Sequence, residues 1–230
     1  MSAALAEWQV DYGDDRGQVT TTLPHSWLQN IEADAEGPVW YRRSVDVPET
    51  GGWLVFGAAS YAARVLVNGL ESGHHLGMWD AFSIDLCAFA GQSVWVEVEL
   101  IKPGGSWFPA DRVACGELPY HFNTFGGLWK PIWLHSGLEN PLEGLPGPSG
   151  PRLRAQGRDL TLDGKPFYLR GIRHHGWYPA CGHCSPPENV MVDEVVAIRA
   201  LGFNTVKFCH WIPDHQHLEL LDEFGLLAWI

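Results

Sequence analysis

Val39, Tyr41, Val45 and Val47 alternate with Trp40, Arg42, Ser44 and Asp46, and Val94, Val96, Val98 and Leu100 alternate with Trp95, Glu97 and Glu99. A period of two marks strands with one buried face. Trp53–Phe56 and Arg64–Val67 are two more short apolar runs, and Asn68-Gly69 after the second is a tight-turn pair. Glycine and proline punctuate these runs, and no helical stretch interrupts them up to about Gly137. That pattern predicts a two-sheet β-sandwich.

The pattern then changes. Leu138–Pro151 is rich in proline and glycine and reads as a linker. Arg152–Leu162 and Lys165–Arg170 predict a hairpin turning at Asp163-Gly164, with Phe167–Ile172 as the first strand of an α/β part. Ser185-Pro186-Pro187-Glu188 predicts a helix start, with Ser185 as N-cap and Glu188 closing a capping box. Met191, Val195 and Ile198 supply the apolar face of that helix, and Gly202 closes it. Phe203–Phe208 predicts a strand. Asp214–Phe224 carries Leu218, Leu221 and Phe224 at helical spacing, Gly225 suits a helix end, and Leu226–Ile230 is a further strand. The order is β-α-β-α-β, which calls for a parallel sheet. A β-α-β unit closing on a new strand opens a repeating architecture, so the chain reads as the front portion of something larger. The expected plan is a β domain over 1–137, a linker over 138–151 and an incomplete α/β domain over 152–230.

Composition narrows the partners. With 46% hydrophobic and 18% charged residues the chain is an ordinary globular sequence. Its net charge of −12 argues against nucleic acid or an anionic membrane as partner, since both require a basic footprint. No apolar run is long enough for a membrane helix, and residues 1–10 lack a signal peptide's basic and apolar regions. The cytoplasm is therefore the expected compartment. Five cysteines make no disulfide framework. The outlier is twelve tryptophans, which serve either as core or as flat apolar faces of the kind sugar clefts use.

Chemistry in parallel α/β folds collects at the C-terminal ends of strands. Two segments lie there: Gly171-Ile172-Arg173-His174-His175 and Lys207-Phe208-Cys209-His210-Trp211. Each histidine alone reads as a loop residue with local hydrogen bonds; together with Lys207, Arg173 and Trp211 they predict a polar ligand site. Cys181-Gly182-His183-Cys184 admits a redox pair or half of a zinc site, with Cys209, His174 or His210 as further ligands. Ser185-Pro186-Pro187 separates the pair from the helix, and the spacing fits no zinc pattern, so the expectation is a loop holding no metal. The acids after residue 151 fall mostly on the two helices or in the hairpin. Asp214, at a helix head, is explained by the dipole, and no pair suits the two-carboxylate chemistry of a glycosidase.

Several segments resemble glycoside hydrolase family 2, the β-galactosidase and β-glucuronidase group. Leu23-Pro24-His25-Ser26-Trp27 is similar to that family's LPH-x-W segment, Val39-Trp40-Tyr41-Arg42-Arg43 to its WYRR strand entry, and Val67-Asn68-Gly69 to its NG hairpin. Gly126-Gly127-Leu128-Trp129-Lys130 resembles its GG-[IL]-[WY]-R motif, with Lys in place of Arg. Leu162–Phe167 and Leu169–Ile172 resemble NGKP…RG-[VI]-N; Asn204–Lys207, His210 and Pro213 resemble N-x-[VI]-R-x-S-H-Y-P; Asp222–Leu227 resembles D-x-x-G-[LI]. The resemblance implies a jelly-roll sugar-binding domain followed by the first strands and helices of a truncated (β/α)8 TIM barrel. It aligns His175 and His210 with substrate-contacting histidines. Lys207 stands where the family has Arg, and Arg173 where it has Asn. The immunoglobulin-like sandwich between the two domains is missing, and the barrel portion is far shorter than the roughly 250 residues of a complete one.

The leading expectation is thus the amino-terminal portion of a retaining β-glycosidase acting in carbohydrate metabolism. The expected substrate-binding residues are His175, His210, Lys207 and Trp211, with Trp177 as a second apolar wall. No cofactor is expected, and no catalytic carboxylate lies in the chain, the acid/base and nucleophile glutamates being expected beyond Ile230. Two alternatives stay open: a non-catalytic carbohydrate-binding or scaffold protein, and one subunit of a split glycosidase. A homo-oligomer or a complementing carboxy-terminal fragment are the protein partners considered besides a carbohydrate substrate.

Overall fold

A computed structural model describes residues 2–15, 17–28, 37–103, 125–143, 153–176, 178–180 and 185–230. The chain divides into two compact units, Met1–Gly144 with Pro179–His183, and Leu145–Tyr178 with Cys184–Ile230. The predicted linker lies mostly outside the described residues, as do Trp177, Cys181, His183 and Cys184.

The first unit is antiparallel throughout its described sheets. One sheet has six strands, with Val39–Asp46 and Ser93–Ile101 paired at its centre; another has four, with Gly52–Phe56 and Ile132–Ser136 at its centre. The alternation read from the sequence sorts the side chains. Val39, Tyr41, Val45, Val94, Val96, Val98 and Leu100 point into one buried cluster with Leu54, Phe56, Ile132 and Leu134 of the other sheet. Each such side chain is worth about 1.5–3 kcal/mol on burial. On the opposite face Arg42 bridges Asp11 and Glu97 across three strands, both at 3.1 Å. Asn68 and Gly69 both have positive φ, 51° and 78°, as a two-residue hairpin of the strand-matching type requires.

The motifs singled out in the sequence of this unit build its core. Trp27 is fully buried and pairs across the ladder with Gly126, where a Cβ would fall 2.3 Å from the indole ring. Gly127 (φ 129°) would place a Cβ 2.3 Å from the His25 carbonyl oxygen. The double glycine is thus the mould for His25-Ser26-Trp27. The Trp27 indole N–H donates to the Tyr41 hydroxyl at 3.1 Å, and that hydroxyl lies 2.8 Å from His25 Nδ1. Trp8, Trp27 and Trp129 are all 1% exposed or less, so at these positions tryptophan is core.

The second unit begins with a three-stranded antiparallel sheet, Leu153–Gln156, Asp159–Leu162 and Lys165–Phe167. Its second turn is Asp163-Gly164, both at positive φ. The expected continuous strand Phe167–Ile172 is broken. Residues 168–170 are held by the Asn204 side chain, whose amide donates to the Tyr168 carbonyl and accepts the Arg170 N–H, each at 2.8 Å. Only after this clamp does the parallel sheet start. It comprises β1 (Gly171–His174), β2 (Thr205–Phe208) and β3 (Leu227–Trp229), in that order, joined by helices α1 (Glu188–Ala200) and α2 (His215–Glu223).

Met191, Val195 and Ile198 of α1 are buried as the spacing predicts, but in α2 the buried residues are His217, Leu220 and Leu221, and of the expected face Leu218 and Phe224 are only partly buried. Gly202 and Gly225 follow the helices at φ 83° and 65°. The start of α1 differs from expectation. Pro187 is the N-cap and no side chain caps it, while the Ser185 hydroxyl donates to Asp214 Oδ2 at 2.7 Å. Two consecutive prolines hold the chain extended past Ser185, so its hydroxyl cannot reach back to the first-turn N–H groups. Asp214 caps α2, accepting the His217 backbone N–H at 3.0 Å.

Candidate functional site

The parallel register gives the small sheet two chemically different faces. Residues paired across neighbouring strands share a face, and the face alternates along each strand. His174 pairs with Phe208 and Ile172 with Val206. His174, Val206 and Phe208 line a small cavity with Glu194, Val195 and Ile198 of α1 and His217 and Leu221 of α2, so this face meets the helices. Arg173 pairs with Lys207, and Lys207 with Trp229, on the other face.

That other face is cationic and aromatic. The Lys207 ammonium sits 4.6 Å from the centre of the Trp229 ring, a cation–π contact. Arg173 is exposed and Trp229 half exposed. Neither Arg173 nor Lys207 forms an ion pair among the described residues. Two like charges side by side on adjacent strands repel each other. In a chain of net charge −12 such a pair makes a locally positive patch.

The remaining expected site residues divide. His175 follows β1 and is partly exposed, and His210 follows β2, exposed, with φ 65°. A positive φ at a non-glycine residue is uncommon. Here it turns the chain so that the next side chain, Trp211, goes inward. Trp211 is 4% exposed, and its indole N–H donates to the His174 carbonyl at 3.1 Å. Gly176 (φ 65°) lies against the ring; a Cβ there would fall 2.3 Å from it. Trp211 therefore closes the strand-end turn and contacts His174, Phe208 and His217 rather than facing the Lys207 side.

Sequence reasoning missed a buried polar cluster on the helix-facing side. The Tyr178 hydroxyl donates to Glu194 Oε2 at 2.5 Å, and His174 Nε2 lies 3.1 Å from that hydroxyl and 3.4 Å from the same carboxylate oxygen. The Gly176 N–H donates to His174 Nδ1 at 3.0 Å. With Nδ1 accepting, the neutral ring carries its proton on Nε2 and aims it at Tyr178 and Glu194. Burial alone would push the Glu194 carboxyl up, but the hydrogen bonds from His174 and Tyr178 outweigh it and hold the group below its usual value. His217 completes the cluster; its side chain is 3% exposed and its Nδ1 has no hydrogen-bond partner. These residues come from a strand end, a turn and two helices, so no local spacing announces them.

Comparison with known proteins gives the context. The pattern of glycosyl hydrolases family 2, TIM barrel domain, matches residues 153–229. Those residues, about a third of the chain, carry the barrel pattern of that family. A β-galactosidase of Photobacterium profundum is 37% identical over 68 residues, which is 29% of this chain and 6% of that enzyme. A β-galactosidase of Lactococcus lactis is 33% identical over 67 residues, 29% of this chain and 7% of that enzyme. Among solved structures, a family 2 β-galacturonidase of Eisenbergiella tayi superposes with a TM-score of 0.77 at 19% identity, covering 100% of this chain and 57% of that one. A β-D-glucuronidase of Dictyoglomus thermophilum gives 0.74 at 16% identity, covering 99% and 57%. At such identity the likeness is one of fold. The chain spans little more than half the length of these structural neighbours.

Proposed function

We propose that this chain is the amino-terminal portion of a retaining β-glycosidase, a jelly-roll domain followed by the opening of a (β/α)8 barrel. Its role is to bind the sugar of an O-glycoside at the strand ends. The observation that carries this reading is the face of β1–β3 that bears Arg173, Lys207 and Trp229, flanked by His175 and His210. An aromatic surface with several fixed donors suits a sugar ring and its hydroxyls. The adjacent cations favour a sugar that bears a carboxylate. That is the class on which the structural neighbours' names place them, while the curated relatives are named for galactosides. Hydrolysis with retention needs two carboxylates about 5–5.5 Å apart. The strand-end residues collected here are basic or aromatic, so the chain alone binds without turnover.

Titration of the 230-residue chain with galacturonate, glucuronate and galactose, followed by NMR, tests this. Both uronates should shift the Trp229 and His210 signals saturably, galactose more weakly, and Lys207→Ala should remove the preference. Nitrophenyl β-glycosides should stay intact with the chain alone. Equal indifference to all three sugars, or clear turnover by the chain, would refute the reading.

A further inference from the structure

The buried cluster behind the sheet has a donor set that its hydrogen bonds do not fully use. We propose that His174, Glu194 and His217 form a binding site for a single zinc-class divalent cation that ties β1 to α1 and α2. This is independent of the sugar-binding role of the opposite face.

Three observations support it. A nitrogen of His174, a carboxylate oxygen of Glu194 and a nitrogen of His217 all lie within 4.8 Å of one another. Tetrahedral zinc with bonds of about 2.0–2.1 Å keeps its ligand atoms about 3.3–3.4 Å apart. The His174 Nε2 to Glu194 Oε2 separation, 3.4 Å, already has that length, although it is long for a hydrogen bond between the two. His217 needs to close by little more than an ångström. Second, His217 is almost wholly buried and its Nδ1 makes no hydrogen bond. The nearest acid on its own helix, Asp214, lies 3.7 Å from Nδ1 and is occupied by the His217 backbone N–H. Leaving a buried imidazole unsatisfied costs roughly 1–3 kcal/mol, and such a group calls for an explanation. Third, these residues line one cavity whose other walls are Val195, Ile198, Val206, Phe208 and Leu221. Apolar walls line the inner side of this polar focus, while Glu194 at its rim stays partly exposed. The cavity's free space, about 10 Å³, is of the order of one small particle.

The chemistry selects the ion class. Two imidazoles and one carboxylate suit zinc and its neighbours, whereas magnesium and calcium require mostly oxygen ligands. Loading requires one rearrangement. His174 binds a metal through Nε2 only after that nitrogen gives up its proton; the neutral ring then carries a proton on Nδ1, and the Gly176 N–H loses its acceptor. Each carboxylate oxygen of Glu194 has two lone pairs, so Oε2 can keep the Tyr178 hydrogen bond on one and present the other to the ion.

The test uses the full 230-residue chain, stripped with a chelator and titrated with cobalt(II), then zinc(II). We expect one cobalt per chain at low-micromolar metal, with the visible bands of a low-coordinate nitrogen and oxygen site. Zinc should displace it and raise the melting temperature. Glu194→Gln, which keeps an acceptor for Tyr178, and His217→Gln should each weaken binding at least about a hundredfold. His215→Gln, at an exposed histidine on the same helix, should change nothing. Nitrogen-15 spectra of the wild-type imidazoles give a readout that needs no variant: zinc should move the His174 proton from Nε2 to Nδ1. Absence of stoichiometric binding, a His174 tautomer unchanged by zinc, or affinity retained in both Gln variants would overturn the site. A thiolate charge-transfer band with cobalt would do so too, by moving the metal to the cysteines.

Discussion

At the residue scale, Gly176 and Trp211 form the tightest fit in the second unit. The glycine has φ 65°, its N–H serves His174, and its missing side chain is the space that the indole fills. Gly176→Ala meets two penalties, a left-handed backbone and an overlap at 2.3 Å. It should destabilise the second unit by about 2–4 kcal/mol in urea titrations. In a Trp211→Ala background the same change should cost only about 1 kcal/mol, the backbone part. Equal costs in both backgrounds would show that ring and glycine are not coupled. None of this was legible beforehand. Trp211 reads as a sugar platform because tryptophans often are, and only the turn at His210 sends it inward. The same ambiguity covers Trp27 and Trp129, whose burial rests on Gly126 at the opposite ladder position and on the Met78 carbonyl, far away in sequence.

At the scale of elements, periodicity carried most of the information and caps carried the errors. The alternation at Val39–Val47 and Val94–Leu100, the 68–69 and 163–164 turns, and the face of α1 follow from spacing alone, because each depends on neighbours a few residues away. Ser185 was misread for the opposite reason: its partner, Asp214, lies 29 residues on. The break at 168–170 has a similar origin, since Asn204 imposes it from the far side of α1. Asp214 thus does two jobs, capping α2 and holding Ser185 ahead of α1. Asp214→Ala should lower stability by about 1–2 kcal/mol, more than Ser185→Ala, because it removes a cap as well as the shared bond. Thermal melts of the two single variants and the double variant measure the coupling. A double variant as damaged as the sum of both would separate the two functions.

For the molecule as a whole, each unit carries its own buried apolar set, and the largest connected cluster lies wholly within the first unit. Unfolding should therefore proceed in two transitions. The earlier one should belong to the second unit, with its three short parallel strands and two helices. The other should depend on pH through His75. Burial against Phe82, with ring centres 4.3 Å apart, pushes this imidazole below its usual value, and Asp80 at 3.7 Å offsets only part of that. A base with a depressed folded pKa leaves the unfolded chain holding more protons below about pH 6.5. Its share of stability is present above that pH and is lost as pH falls through the depressed folded value. His75→Phe keeps the stacking and should flatten this part of the profile below about pH 6.5. A single transition, or a variant with the wild-type slope, would contradict this picture. At this scale the sequence disclosed the β-α-β-α-β order and the parallel sheet it implies. It did not disclose the polar cluster, which exists only once β1, α1 and α2 are assembled.

The strict alternation of faces along β1 and β2 has an evolutionary consequence. Arg173 and Lys207, on the face proposed to meet a ligand, sit in sequence directly beside His174 and Phe208, which pack towards the helices. They are neighbours in the chain yet strangers in space. Substitutions at the former pair can therefore accumulate without weakening the packing that presents them. A lineage can change what it recognises while its scaffold drifts hardly at all. A one-residue insertion within either strand has the reverse effect, exchanging the two faces and destroying recognition and folding in one step.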